Sequence, residues 1–459
     1  MAPEPAIDAS PVPAVPPVTP RLPRGFPVPT KRVQRWLRIL GPGLITGAAD
    51  DDPSGIGTYS QVGAAFGTGQ LWLALYLLPL AIAVQEMCGR IGLVTGAGIA
   101  GVVRKHYNRP LLYGAVALLV IANTINIGAD LGAMAASVQV LLPAANTLLL
   151  LIGFTVLIVV LEVFIPYKYY ARVLKILVLS LLSYAVTAFL IRPDWLTLLR
   201  VTVVPNIELS PAFLALVVAV IGTTISPYLF FWQASEEVEE RLLHHPHHLD
   251  HTPAKQASSL KKWLKNLRID TAIGMTVSVT TFWFIVMTTG LTLHKQGITT
   301  VATPDQAAKA LVPLVQGFPH SGELAGGIFA LGIIGTGLLA IPVLSGSAAY
   351  GVSETFGWRE GLSQPVGRAR SFYAVIAVAT IIGLLLNLLH INPIQALVYS
   401  AVINGILAVP LLALIMRIAN DKNVMGEFTN GRLSNALGGL TTFAMGLAAI
   451  VTLVALFWH

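Results

Sequence analysis

Long apolar stretches recur along almost the whole chain, and they restrict its fold more than any other feature of the sequence. About 20 mostly apolar residues cross a bilayer as an α-helix, and windows of that kind can be placed eleven times. The windows are 40–66, 70–94, 111–140, 146–166, 173–191, 211–236, 270–293, 322–350, 370–390, 393–416 and 435–457. Only 11% of the residues are charged, which excludes a soluble globular protein. The sequence therefore predicts an all-α integral membrane protein with eleven transmembrane helices.

The distribution of basic residues predicts how these helices are oriented. If the N-terminus is cytoplasmic, all but four of the 29 Lys and Arg residues lie in segments on the inner side of the membrane, as the positive-inside rule expects. The four on the outer side are Arg192, Arg200, Lys295 and Lys309. We therefore expect a multi-pass protein of the plasma (inner) membrane with its N-terminus inside and its C-terminus outside. Contact with anionic lipid heads explains the net charge of +7 without nucleic acid.

The spans divide into two blocks of five and a final helix. Residues 37–192 hold spans one to five, residues 211–416 hold spans six to ten, and residues 435–457 form the eleventh span. Because five is odd, the second block enters the membrane in the opposite orientation, which predicts a 5+5 inverted repeat. Residues 1–36 are rich in Pro and Ala without a continuous apolar core, so we expect a disordered cytoplasmic tail and not a signal peptide.

The first span contains a charged residue followed by helix breakers, Asp52-Pro53-Ser54-Gly55. An ionisable group at membrane depth is tolerated mainly where it faces a cavity or a transport pathway. Pro53 removes a backbone donor and Gly55 permits unusual backbone angles, so carbonyl oxygens near the carboxylate become available. A carboxylate beside free carbonyls predicts a cation site, with Asp52 as its main ligand and Asp51 as a secondary one. The alternative is that Asp50 and Asp51 only line a wet vestibule.

The sixth span has a corresponding break at Thr223 to Tyr228. Pro227 leaves the carbonyls of Thr223 and Thr224 without helical partners, and Ser226 adds a hydroxyl. Oxygen ligands suit hard ions such as Mg²⁺, Ca²⁺ or Mn²⁺. Two broken spans in corresponding halves of a chain are typical of the midplane site of a secondary transporter. The alternative is a proline kink whose hydroxyls are satisfied locally.

Several motifs carry a resemblance to a known family. The run from Gly41-Pro42-Gly43 to Asp52-Pro53-Ser54-Gly55 resembles the first span of the NRAMP family of divalent-metal transporters, where Asp-Pro-Gly-Asn is usual. Thr223 to Tyr228 is similar to that family's sixth-span Ala-x-x-Met-Pro-His. Met425-Gly426-Glu427-Phe428 resembles its loop before the last span, and Gln85 to Gly96 its second-span exit. The likeness extends from Arg38 to His459 and implies a LeuT-like fold, with helices 1 and 6 broken, that works by alternating access.

Two departures from the family pattern concern the metal site. The family's asparagine position is Gly55 here, and its metal-binding methionine position is Ser226. Without the thioether, the resemblance implies a site for harder ions, with room for an ion that keeps part of its hydration shell, as Mg²⁺ prefers. The chain therefore looks most like the NRAMP-related magnesium transporters. Residues that we expect to form the metal site are Asp52, Gly55, Thr223 and Ser226, with Asp51, Thr224, Tyr228 and Asp130 as possible secondary members.

The third span indicates whether protons move with the metal. The family's proton-relay acids correspond to Asn123, Asp130 and Ala133, and its sixth-span histidine corresponds to Tyr228. A relay needs closely spaced titratable groups, so the resemblance implies transport that is not coupled to protons. For Asp130 a second interpretation stays open, as a structural partner of the Asn123 and Asn126 amides.

Other functional classes stay open as alternatives to this hypothesis. The first alternative is a proton-coupled Mn²⁺ or Fe²⁺ importer, and more distant ones are a sodium-coupled amino-acid carrier and a membrane receptor or scaffold. We do not expect an enzyme, a resident cofactor or a nucleic-acid partner, and we favour a monomer. The imidazole-rich run His244 to His251 either binds a transition metal or forms a solvated linker.

Overall fold

The computed structural model describes residues 41–165, 181–208, 210–244 and 253–457. The regular elements in these residues are helices, and no strand occurs among them. The α-helices are α1 Pro42–Asp50, α2 Pro53–Phe66, α3 Trp72–Thr95, α4 Ile99–His106, α5 Arg109–Leu141, α6 Thr147–Phe164, α7 Leu182–Leu190, α8 Trp195–Val203, α9 Pro211–Thr224, α10 Pro227–His244, α11 Pro253–Thr292, α12 Pro304–Ala308, α13 Val312–Val315, α14 Ser321–Phe356, α15 Arg370–Leu386, α16 Pro393–Asn420, α17 Lys422–Met425 and α18 Arg432–Phe457. The tail predicted at 1–36 lies outside the described residues. So does the His-rich run, except for His244, the last residue of α10.

The positions of these helices agree with the predicted spans. Within the described part of the chain, nine helices are long and apolar enough to cross a membrane, with α9 and α10 counted as one stretch. The first predicted span consists of the shorter α1 and α2, and the described part of the fifth is α7. The connection between the sixth and seventh windows is helical in its described residues, because α10 continues to His244 and α11 begins at Pro253. The Lys-rich start of α11 is too polar for an apolar window, although lysine favours helix.

Both predicted breaks are present in the structure. α1 ends at Asp50, and α2 begins at Pro53, a residue suited to the first turn of a helix. Asp52 is the N-cap of α2, and its side chain accepts a hydrogen bond from the backbone N–H of Gly55. In the sixth span, α9 ends at Thr224 and α10 begins at Pro227.

Glycines allow the half-helices to pack closely on their neighbours. α1 lies against α11, where a Cβ atom on Gly47 would be only 2.2 Å from the carbonyl oxygen of Gly274. α9 lies against α16, where a Cβ atom on Gly222 would be 2.3 Å from the carbonyl oxygen of Ala401. Such contacts between backbones are typical of small residues in membrane helices. They fix each half-helix that precedes a break to a long, continuous helix.

An aspartate on α11 caps the start of α1. The Asp270 carboxylate accepts hydrogen bonds from the backbone N–H groups of Gly43, at 2.6 Å, and Leu44, at 3.2 Å. These N–H groups belong to the first turn of α1 and have no partner within that helix. The cap therefore comes from a different span, and it adds a second attachment between α1 and α11.

Candidate metal site

Asp52 lies at the first break, and both of its carboxylate oxygens accept hydrogen bonds. Its Oδ1 accepts from the Gly55 N–H and the Ser54 hydroxyl, both at 2.7 Å, and its Oδ2 accepts from the Asn126 side-chain amide of α5 at 2.8 Å. The residue is 1% exposed. All three partners are neutral donors, so they orient the carboxylate without neutralising its charge. Burying an uncompensated carboxylate is costly, which makes this position suited to a cation.

The two breaks meet at a pair of hydroxyls. The Ser54 Oγ and the Thr223 Oγ1 are 3.3 Å apart, so the start of α2 contacts the end of α9 directly. A Cβ atom on Gly55 would lie 3.2 Å from the Asp50 carbonyl oxygen and 3.4 Å from Thr223 Oγ1. Gly55 therefore faces two oxygens that a cation could use. The space beside it is narrow in this conformation, so the absence of an asparagine side chain does not by itself leave a wide pocket.

At the second break the hydroxyl of Ser226 is turned back onto the end of α9. Its Oγ lies 2.5 Å from the Gly222 carbonyl oxygen and 2.9 Å from that of Thr223, and it donates its proton there. This agrees with the interpretation of a kink with locally satisfied hydroxyls. The lone pairs of the Ser226 oxygen remain available to a cation, because a hydroxyl has one proton and two acceptor sites.

Tyr228 and Thr224 link the second break to the first. The Tyr228 hydroxyl donates to the carbonyl oxygen of Ala49 at 2.9 Å, near the end of α1. The Thr224 Oγ1 lies 3.2 Å from the Tyr59 hydroxyl on α2. Carbonyl groups in the last turn of a helix lack helical partners. Tyr228 therefore satisfies one freed by the first break, and it joins α10 to α1.

Asp50 and Asp51 lie beside the first break but face a different helix. Both bind to the Ser278 hydroxyl on α11, Asp50 through a short hydrogen bond and Asp51 at 3.4 Å. They are 0% and 1% exposed. The alternative expectation that these residues line a wet vestibule is therefore wrong for this conformation.

Asp130 on α5 is fully buried, and neither of its carboxylate oxygens accepts a hydrogen bond from a side chain. Its electrostatic neighbours are the Asp52 carboxylate and the backbone amide of Ser54. The Asn123 amide donates instead to the Leu344 carbonyl oxygen on α14 at 2.8 Å, and that of Asn126 donates to Asp52. The interpretation of Asp130 as the partner of these two amides is therefore wrong.

The site includes polar residues that the motifs did not single out. Asn404 of α16 lies with its amide nitrogen 3.5 Å from the Asn126 side-chain oxygen, so a polar chain runs from α16 through α5 to Asp52. Ser54 extends this chain to Thr223. The available signal was an amide side chain within an otherwise apolar span, which is unusual enough to indicate a function.

The types of ligand that the site offers are restricted. In the part of the chain that the structure describes, no group of three or more His, Cys, Asp and Glu side chains is placed to hold a metal ion. A cation at Asp52 would therefore take most of its ligands from hydroxyl, amide and carbonyl oxygens. Such ligands favour hard ions.

Known proteins resemble this chain over nearly all of its length. The family model described as "Natural resistance-associated macrophage protein-like" (Nramp) matches residues 43–455. The divalent metal cation transporter MntH of Aeromonas hydrophila subsp. hydrophila is 25% identical over 429 residues, which cover 90% of this chain and 95% of that protein.

Solved structures agree with the predicted architecture. The manganese transporter of Eremococcus coleocola, in complex with an aromatic bis-isothiourea substituted compound, has a TM-score of 0.72 at 16% identity, over 93% of this chain and 88% of that one. MhsT in complex with L-phenylalanine has a TM-score of 0.52 at 14% identity, over 90% of this chain and 97% of that one. The predicted all-α, LeuT-like fold is confirmed.

Proposed function

Because the chain belongs to the Nramp family, whose model matches residues 43–455, we propose that it is a secondary transporter that moves divalent metal ions across the plasma membrane by alternating access. The family resemblance that the motifs predicted is confirmed. The curated relative MntH is a divalent metal cation transporter, and the E. coleocola structure is of a manganese transporter. These names support a divalent metal ion as the substrate of this chain.

The observation that carries the proposal is the buried Asp52 carboxylate at the meeting point of the two breaks. Among the ion pairs of the described residues, none involves Asp52. A cation bound there would compensate the charge that its neutral hydrogen-bond partners leave. We propose Asp52, Thr223 and Ser226 as ligand-bearing residues, together with the backbone oxygens that Gly55 faces.

We propose Mg²⁺ as the main substrate, with Mn²⁺ also accepted. Support comes from the donor chemistry, because the position of the family's metal-binding methionine holds Ser226 and the surrounding groups offer oxygen. Mg²⁺ keeps several waters when it binds to proteins. Since the space beside Gly55 is narrow here, a partly hydrated ion would require the start of α2 to move away from the end of α9.

Helix packing supports a movement of two groups of helices about this site. α1 packs on α11 and α10 packs on α3, while α5, α14 and α15 pack on one another. The breaks lie between these groups, because Asp52 is bonded to Asn126 of α5 and Asp50 to Ser278 of α11. Rocking one group against the other would expose Asp52 first to one side of the membrane and then to the other.

We further propose that metal movement is not coupled to protons. Tyr228 occupies the family's histidine position, and its hydroxyl is committed to the Ala49 carbonyl oxygen. One observation favours the second candidate, a proton-coupled Mn²⁺ or Fe²⁺ importer. Asp130 is a buried carboxylate beside Asp52 that accepts no side-chain hydrogen bond, and such a group requires either a cation or a proton.

A liposome flux assay with an interior pH dye tests both candidates. We expect the parent to transport Mg²⁺ and Mn²⁺ without a change in interior pH, and Asp52→Asn to lose both fluxes together. Asp305→Asn, which changes an exposed aspartate in α12, is the matched control and should transport at the parent rate. Normal flux in the Asp52 variant contradicts the proposed site. Mn²⁺ uptake accompanied by interior acidification, without Mg²⁺ uptake, supports the second candidate.

A further inference from the structure

Asp50 and Asp51 form a carboxylate pair that the site at Asp52 does not use. The hydrogen bonds of Asp52 go to the start of α2 and to Asn126 of α5, whereas those of Asp50 and Asp51 go to Ser278 of α11. The pair therefore contacts a different helix. Asp51 also has the Thr281 hydroxyl of α11 as a neighbour.

The hydrogen bonds to this pair do not satisfy all of its carboxylate oxygens. Ser278 has a single hydroxyl proton and contacts both carboxylates, and the Thr281 hydroxyl is a further partner of Asp51 only. The second oxygen of Asp50 has no hydrogen-bond partner although the residue is fully buried. Within the described residues, none of the ion pairs involves Asp50 or Asp51. A buried pair in this condition requires either a proton or a positive charge from outside the chain, and one divalent cation would compensate both carboxylates at once.

We propose that Asp50, Asp51 and Ser278 form a second divalent-cation site, separate from the one at Asp52. Two carboxylates and the lone pairs of a hydroxyl are ligands for hard ions, and two negative charges match one divalent ion. The ion would bind the carboxylate oxygen of Asp50 that has no hydrogen-bond partner. The inference rests on the proposed function, because it gives the same ion a second binding position in the same protein.

The position of the pair indicates what the second site does. Thr46 lies one helical turn before Asp50 on α1, and its Oγ1 is 2.5 Å from the side-chain oxygen of Gln233. The Gln233 amide donates to the Glu237 carboxylate at 3.0 Å. Buried polar groups thus continue from Asp50 towards the start of α1. In the order of residues along the chain, the second site lies between Asp52 and Thr46, so it would receive the ion on its way between Asp52 and the side of the membrane at which α1 begins.

Counting bound ions tests the second site. The full chain is placed in lipid nanodiscs, and Mn²⁺ binding is measured by calorimetry and by the electron paramagnetic resonance of free Mn²⁺. We expect two ions for the parent, one for Asp51→Asn and one for Asp52→Asn. Ser278→Ala, which removes only one oxygen, should weaken the second ion by about 10–100-fold, the range found for groups that support metal ligands. Thr276→Val is the matched control, because its hydroxyl on the same helix bonds only to the Ala272 carbonyl oxygen.

Other ion counts would contradict the second site. A parent that binds one ion, or an Asp51→Asn variant that still binds two, overturns the second site and assigns protons to Asp50 and Asp51. Loss of all binding in both aspartate variants overturns it as well, because the acids would then share one ion. Flux of Mg²⁺ and Mn²⁺ is measured on the same variants. If Asp52→Asn transports normally, the proposed function fails independently of the ion count.

Discussion

Asp52 is both a helix cap and the main predicted metal ligand, two roles that usually belong to different residues. It caps α2 through the Gly55 N–H, and the same carboxylate is held from α5 by Asn126. Capping fixes the carboxylate relative to the break, and the amide fixes it relative to the neighbouring span. The orientation of the main predicted ligand therefore depends on Asn126.

Replacement of Asn126 tests this dependence. We expect Asn126→Ala to raise the KM for metal uptake by about 10–100-fold, because residues that orient metal ligands contribute on that scale. Asn123→Ala is the control, since this amide lies on the same helix but donates to Leu344 and Ser347 of α14. Initial rates of Mn²⁺ and Mg²⁺ uptake into liposomes measure the effect. An unchanged KM for Asn126→Ala contradicts the positioning role.

The hydroxyl of Tyr228 offers a second test at this scale. Tyr228→Phe leaves the Ala49 carbonyl without its side-chain partner, and we expect a loss of about 1–3 kcal/mol in stability, the usual cost of an unsatisfied buried group. Thermal unfolding in detergent measures it. Tyr399→Phe, at an exposed tyrosine, should unfold like the parent. Equal unfolding temperatures for all three proteins show that the bond to Ala49 contributes nothing.

Individual residues were predicted to different extents from the sequence. Asp52 and Thr223 are identified by the breaks themselves, because proline and a buried charge are local features, and the structure brings both to the same place. The partners Ser278 and Asn404 come from distant spans. Their proximity depends on tertiary packing, which apolar windows do not contain. The direction of the Ser226 hydroxyl is likewise a matter of local geometry that residue type leaves open.

At the scale of elements, α1 is joined to α11 by two kinds of contact. Gly47 and Gly274 bring the two backbones together, and Asp270 caps the first turn of α1. The first contact depends on the absence of side chains and the second on a charge. Together they fix the register of a helix of only nine residues.

A single methyl group added at the contact between Gly47 and Gly274 should lower the stability of the protein. A Cβ atom in Gly47→Ala would lie 2.2 Å from the Gly274 carbonyl oxygen, so the helices must separate, at about 1–3 kcal/mol for an overpacked interior. We expect a lower unfolding temperature and reduced flux. In Gly114→Ala the new Cβ atom has no neighbour within 4 Å, so this control should be as stable as the parent. Equal stability of the two variants contradicts the packing argument.

The sequence predicted which spans exist better than where their helices end. Apolar windows identify membrane spans because the bilayer requires them. The polar beginning of α11 and the short helices α4 and α8 lie outside such windows, and their helical structure depends on local propensity and on packing. The breaks were predicted because Pro53 and Pro227 act locally.

At the scale of the whole molecule, stability should depend on pH through the loop between α14 and α15. Burial, with the charges of Glu354 and Glu239 as further causes, raises the pKa of Glu360 to about 9 from the ordinary value of 4.5. The folded state therefore holds a proton that the unfolded state releases above pH 4.5. The contribution of this group to stability is complete below that pH and is lost as the pH rises through 9.

Removal of the titratable carboxyl group of Glu360 should remove this dependence of stability on pH. We expect Glu360→Gln to unfold at a higher temperature than the parent at pH 8, with a difference that shrinks as the pH is lowered to 5. Glu323→Gln, at an exposed position in α14, is the control. Thermal unfolding at several pH values measures the difference. A difference that stays constant with pH contradicts the assignment to Glu360.

The attachment of α1 to α11 near both of its ends determines where the molecule can pivot. Helix α1 is bonded to α11 through Asp270 at its start and through Ser278 at Asp50. It would therefore move together with α11 and not independently. In the proposed alternating access, rotation would then be absorbed at Asp51 and Asp52, which lie outside both helices and can change their torsion angles without breaking a helical turn. A cargo held by Asp52 would sit close to the axis of that rotation. Access to the ion would then change from one side of the membrane to the other while the ion itself hardly moves.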